Sequence, residues 1–190
     1  MKQIRINDNA FTGLEAAIVL IAFVVVAAVF SYVVLGAGFF TTQKAQETVH
    51  TSVSQASSSL EVIGNVIGHA TTTANLDYIS ITVGLTAGGT SMDLDTMVMS
   101  YDDGTKRTDV YTKVESTATP ATNAWCIYQK INDNSNNILE PGEQFILYVG
   151  VPTSATPNTR FTLNMQPSTG AVTQLVRTVP AAITTINMLY

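Results

Sequence analysis

Twenty-five consecutive residues, Ala16 to Phe40, carry no charged side chain, and a single carboxylate, Glu15, stands at their N-terminal edge. An apolar run of about 18 residues or more reads as a transmembrane helix. At about 1.5 Å of rise per residue this one is about 37 Å long, against a hydrocarbon core of about 30 Å, so it can span with some tilt. It is apolar all round rather than along one stripe, which suits lipid or the inside of a large protein assembly. A short polar leader, Met1 to Ala10, precedes it. In an ordinary secretory signal peptide, Lys2 and Arg5 would be the basic region and Gly36, Ala37 and Gly38 the cleavage site. The apolar core of such a peptide is only about 7–15 residues long, too short to match. A plain membrane anchor accounts for the length but not for the polar leader followed at once by Phe11-Thr12-Gly13-Leu14-Glu15.

After Phe40 the pattern changes. Ala45, Val49, Val53, Ala56, Leu60, Ile63 and Ile67 recur at steps of three and four, with Lys44, Gln46, Glu47, His50 and Gln55 between them. That spacing continues the helix as an amphipathic one. Ser57-Ser58-Ser59, Gly64 and Gly68 oppose it, which puts the helix end near residues 56–60 and leaves Leu60 to His69 open as a first strand. Beyond Ala70 the signals are β. Tyr78 to Val83 is rich in β-branched and aromatic residues, and Met92 to Tyr101 reads as another strand. Asp102-Asp103-Gly104-Thr105 is a hairpin turn, with Asp109 to Val114 as its return. Further strands are expected at Trp125 to Ile131, Gln144 to Val151, Arg160 to Met165, Ala171 to Arg177 and Ile183 to Leu189. Short strands at regular spacing argue for a β-sandwich or barrel. The expected fold class is therefore α+β: a long N-terminal hydrophobic helix, then an all-β, immunoglobulin-like sandwich. Residues 1–10 form the leader, 11–58 the helix and 59–190 the outer domain.

Phe11-Thr12-Gly13-Leu14-Glu15, followed by Ala16-Ala17-Ile18-Val19-Leu20-Ile21-Ala22-Phe23, resembles the start of a type IV pilin-like subunit. The resemblance implies a leader removed ahead of the apolar segment, between Ala10 and Phe11, so that the helix stays on the mature chain. Glu15 falls where bacterial type IV pilins carry glutamate, and Gly13 where archaeal flagellins (archaellins) carry glycine. Ala10 departs from the more usual glycine before the cut, and Asn7-Asp8-Asn9 rather than basic residues abut it. Towards the C-terminus, Leu139-Glu140-Pro141-Gly142-Glu143-Gln144-Phe145-Ile146-Leu147 resembles the archaellin segment that leads into a strand. Gly170 to Pro180 resembles the archaellin closing strand and its Arg-Thr-x-Pro turn. Together these favour archaellin over bacterial pilin. They imply a subunit that waits in the membrane and then polymerises, with Leu14, Ile18, Ile21, Phe23, Val26, Phe30 and Val34 in the filament core. Its implied partners are further copies of itself or other archaellins, a leader peptidase, and a membrane assembly and motor machinery. The product would be an extracellular filament that drives swimming.

Charged residues make up 12% of the chain and the formal net charge is −5, without a basic patch, so nucleic acid is not an expected partner. The single cysteine, Cys126, excludes an internal disulfide, and beside Trp125 it reads as a core residue. His50 and His69 are the only histidines, and no HExxH, GxSxG, CxxC or P-loop pattern occurs, so no enzyme is expected. One loop has oxygen side chains at the spacing of a calcium site: Asn132, Asn134, Asn136 and Glu143, with Leu139 apolar between them. Three of the four are neutral amides, Asn137 stands where calcium loops have glycine, and Asp133 points away in this register. The archaellin resemblance also implies an outer-domain metal ion, Ca2+ or a similar cation. Two other readings stay open: a non-rotating adhesion pilin, and a membrane-anchored binding module that never polymerises.

Overall fold

The computed structural model describes residues 8–115 and 118–190. The chain divides into two units, Met1–His50 and Thr51–Tyr190. The leader residues 1–7 lie outside the described residues, as do the side chains of Ala10 and Phe11 on either side of the expected cut.

One helix, α1, runs unbroken from Asp8 to Ser57. Its middle mixes Ala and Leu, strong helix formers, with Val, Ile and Phe of weaker propensity, and it contains no proline. Thr41 and Thr42 donate their hydroxyls back to the carbonyls of Ala37 and Gly38, at 2.8 and 2.9 Å. Lys44 and Glu47 pair at 2.6 Å on the exposed surface just beyond the apolar run.

The remainder is a β-sandwich. The larger sheet has the order β13 (Ile186–Leu189), β2 (Val66–His69), β3 (Tyr78–Leu85), β10 (Gln144–Gly150), β8 (Ala124–Ile131) and β7 (Thr112–Lys113). β1 (Leu60–Val62) pairs with the far end of β3, so β1 and β2 are two halves of one interrupted strand. All these pairings are antiparallel except β7 with β8. The smaller sheet has the order β12 (Thr173–Thr178), β11 (Arg160–Gln166), β5 (Val98–Asp102) and β6 (Arg107–Thr108). A two-stranded ribbon joins β4 (Met92–Asp93) to β9 (Ile138–Leu139).

Alternation decides which face of each strand is inside. On β3, Ile79, Ile81 and Val83 are buried, and on β10 Phe145, Leu147 and Val149 join them. The smaller sheet answers with Met99, Tyr101, Phe161, Leu163 and Met165. These side chains form a single cluster with Trp125 and Leu175. Tyr101 and Phe161 stack within it at 5.5 Å between ring centres.

Two sequence expectations are corrected. Met92 to Tyr101 is not one strand: a 3-10 turn, Leu94–Thr96, divides it, and its halves join different sheets. Asp93 starts that turn by accepting the amide of Asp95 at 2.8 Å. Nor does Asp109 to Val114 form the hairpin return. Only Arg107 and Thr108 pair back onto β5, and the chain then crosses so that Thr112 and Lys113 lie parallel beside β8. The turn itself is as expected. Gly104 takes a φ of 78°, Asp102 accepts its amide at 2.8 Å, and Asp103 accepts the amides of Thr105 and Lys106 at 2.9 and 2.7 Å.

Candidate functional site

The longest continuous apolar surface belongs to α1. Leu14, Ile18, Ile21, Phe23, Val26, Phe30 and Val34 are between 53% and 76% exposed. Leu20, Val24 and Val33 are exposed to a similar degree, so apolar side chains point in every direction around the helix. An exposed apolar surface of this extent marks a membrane or protein interaction site. No carboxylate or ammonium side chain occurs between Glu15 and Lys44. Gly13 and Glu15 both lie within α1, with no side chain near the open space over Gly13. The small residues along the helix, such as Ala22, Ala27 and Gly36, permit close approach of a second helix. Chemically such a surface can only pack.

The loop between β8 and β10 holds the four residues expected to bind a cation. Asn136 Oδ1 accepts the amide of Ile138 at 2.8 Å, and Glu143 Oε2 accepts the amide of Glu140 at 2.9 Å. Asn132 and Asn134 direct their amide nitrogens to the Gly142 carbonyl, at 3.5 Å, and to Glu140, at 3.3 Å. Asn132 and Ser135 are left-handed, with φ of 59° and 75°. The loop also contains an ammonium group of its own. Lys130 Nζ donates to the Asn136 carbonyl and lies 3.8 Å from Asp133 Oδ2. Asp133 Oδ1 is buried without a hydrogen-bond partner among the described residues, and Lys130 is the positive charge that offsets it. This donor set does not fit a resident Ca2+: two acceptors are spent on backbone N–H groups, and a cation is already present. Among the described residues, no group of three or more His, Cys, Asp or Glu is placed to hold a metal. Addition of EDTA to filaments should leave the melting temperature of the outer domain unchanged by calorimetry; a fall of several degrees would restore the metal.

His50 is exposed on α1. His69 belongs to an arrangement the sequence did not disclose. Its ring stacks on Tyr78 at 4.5 Å and 5°, Tyr78 lies 4.9 Å from Tyr148, and Tyr148 stacks on Tyr128 at 4.0 Å and 7°. These residues come from β2, β3, β10 and β8, four adjacent strands, all on the face turned away from the core. Tyr128 follows Cys126, the register partner of Tyr148, by two residues, and a register shift at Ile146/Leu147 leaves it as the extra residue of the β8–β10 pairing. Burial lowers the pKa of His69, which favours its neutral form. The Tyr148 phenol is pushed up to about 12 by burial and by its hydrogen bond with Tyr128. The signal available beforehand was that Tyr78, Tyr128 and Tyr148 each sit in the outward phase of an expected strand. Cys126 is buried under the same face, with its thiol against the Ala118 carbonyl at 3.5 Å and its pKa raised by burial.

Comparison with known proteins agrees with this combination of assembly helix and sandwich. The family described as archaeal-type flagellin matches residues 10–177. "Probable flagellin 1" of Archaeoglobus fulgidus is 40% identical over 194 residues, covering 96% of this chain and 96% of that sequence. A "24 kDa flagellin" sequence of Methanospirillum hungatei is 91% identical over 32 residues, 17% of this chain and 100% of that sequence. Among solved structures, the archaeal flagellum of Methanospirillum hungatei strain JF1 is similar with a TM-score of 0.70 and 32% identity, over 94% of this chain and 99% of that one. The chain belongs to the archaeal-type flagellin family.

Proposed function

We propose that this protein is the structural subunit of an archaeal flagellum filament, polymerising through its N-terminal helix to give an extracellular fibre that serves swimming. The observation that carries this reading is the 50-residue helix whose apolar side chains are exposed on all sides. In the precursor, lipid covers that surface. In the filament, identical helices from neighbouring copies cover it. Lipid tails and a bundle of Val, Ile and Phe are similarly apolar, so the transfer costs little hydrophobic free energy, and close packing supplies the gain.

Processing comes first. A membrane peptidase removes Met1 to Ala10 and leaves Phe11 as the new N-terminus, with Gly13 and Glu15 as the processing and assembly motif. The filament core then comprises 11–58 and the exterior 59–190. Glu15, costly in hydrocarbon, sits at the membrane boundary or pairs with the new α-amino group of a neighbouring copy. Rotation is supplied by a membrane motor, and the subunit's own contribution is mechanical.

Edman sequencing of filaments sheared from cells tests the scheme. The expected N-terminus is Phe11; a start near Gly38, or retention of Met1, overturns it. Cells lacking the protein should fail to swim, and full swimming in its absence would leave the adhesion-pilin reading in its place.

A further inference from the structure

We infer that residues 118–121, on the path from β7 to β8, form a strap that shields the Cys126 thiol and opens without unfolding of the sandwich. Cys126 is the register partner of Tyr148, so its side chain leaves the sheet on the outer face, beside the aromatic file. It is nonetheless fully buried, and it does not belong to the core cluster between the sheets. Its cover comes from outside. The thiol donates to the Ala118 carbonyl at 3.5 Å, and Thr119 hydrogen-bonds through its side chain to the Tyr78 phenol on β3. Gly150 ends β10 two residues after Tyr148 and so shares the outer face. A Cβ there would lie 2.1 Å from the Ala121 carbonyl oxygen and 3.1 Å from that of Pro120. Only glycine lets the strap seat itself so closely. The strap therefore rests on β8, β3 and β10 together.

Its attachment is of a different kind from that of the strands. Residues 118–121 form no strand and join neither ladder. Ala118, Thr119 and Ala121 are exposed, and of the four Pro120 alone is buried. Lifting the strap thus uncovers little apolar surface, whereas global unfolding uncovers the whole core. A segment with few buried apolar contacts opens at a fraction of the global free energy. The group it guards gives the strap its purpose. A thiol reacts where solvent and reagents reach it. An unpaired cysteine on an exported protein meets oxidising surroundings, the exported setting here being that of the filament reading above. A cysteine inside the core would become reactive only when the two sheets part. Cys126 needs only the strap to move.

The test is the rate at which N-ethylmaleimide labels Cys126 in the full chain held in detergent, followed by intact mass across urea concentrations below the unfolding transition. The expected rate is flat in urea, because a small opening exposes little surface; a rate gated by global unfolding climbs with denaturant from the start. Tyr78→Phe removes the partner of Thr119 and should raise the rate about fivefold, the usual worth of one hydrogen bond. Gly150→Ala drives a methyl group into the Ala121 carbonyl and should raise it by about tenfold or more. If Gly150→Ala fails to fold, the urea series and Tyr78→Phe still decide. A rate that climbs with urea in step with global unfolding, or one that Tyr78→Phe leaves unchanged, would overturn the strap. Filaments play no part in this measurement, so their absence from cells would overturn the filament reading and leave the strap intact.

Discussion

Gly170→Ala should destabilise the outer domain by about 3 kcal/mol or more, through left-handed strain and a backbone overlap acting together. Gly170 has a φ of 120°, a conformation closed to residues with a Cβ. A Cβ built there would lie 2.2 Å from the Ser58 carbonyl oxygen and 3.0 Å from its carbonyl carbon. Neither atom can yield, because the same carbonyl accepts the Ala171 amide at 3.1 Å and the Ser58 hydroxyl is bonded to Thr90. Ser58 is the residue just past the helix and is buried, so the variant would disturb the point where α1 hands over to β1. Gly36→Ala is the reference substitution. Gly36 lies within α1 with open space around it, so alanine there should leave the outer domain's melting unchanged. Calorimetry of both variants checks this, and an unchanged melting temperature for Gly170→Ala would refute the close approach.

The second large effect is expected at Val26→Asp. Val26 lies near the middle of the uncharged run and is 67% exposed. A carboxylate at the centre of a spanning helix costs about 2.5–3.5 kcal/mol on insertion. In a filament the same penalty recurs in every subunit, in a bundle with no water to solvate it. Filaments should be absent from the medium, with the subunit either lost or retained in the membrane fraction. Val26→Leu, equally apolar, should assemble. Immunoblots of sheared filaments and of membranes report both outcomes; normal filament yield from Val26→Asp would remove the helix from the assembly core.

Much of this architecture was legible because it rests on local pattern. The helix follows from length without charge. Strands β3, β10 and β11 follow from strict alternation bounded by turn residues, and the Asp-Gly turn from its own hydrogen-bond chemistry. The misread segments have physical reasons. In Met92 to Tyr101 the buried positions are Met92 and Leu94, then Met97, Met99 and Tyr101. The step from Leu94 to Met97 is three residues instead of two, so the alternation slips by one where the 3-10 turn is inserted. Thr112 and Lys113 carry no apolar signal at all, and their partner is decided by a crossover between sheets. For the cation loop, spacing indicated which side chains carry oxygen. It did not indicate that Asn136 and Glu143 would accept backbone amides, or that Lys130, at the end of β8, would reach the Asn136 carbonyl. The aromatic ladder escaped because it joins residues far apart in sequence, and only sheet order brings them into file.

The threonines of α1 carry a consequence for how copies find their alignment. Thr41 and Thr42 bring their own acceptors, the carbonyls one turn back, and so ask nothing of their surroundings. Neither lipid nor a neighbouring helix has to supply a partner, and moving from one to the other breaks no hydrogen bond. The same self-sufficiency means that these hydroxyls cannot tell one axial setting of two neighbouring helices from another. In the filament proposed above, axial alignment must then come from the shapes of the apolar side chains, Phe and Val beside Ala and Gly, which interlock as ridges into grooves.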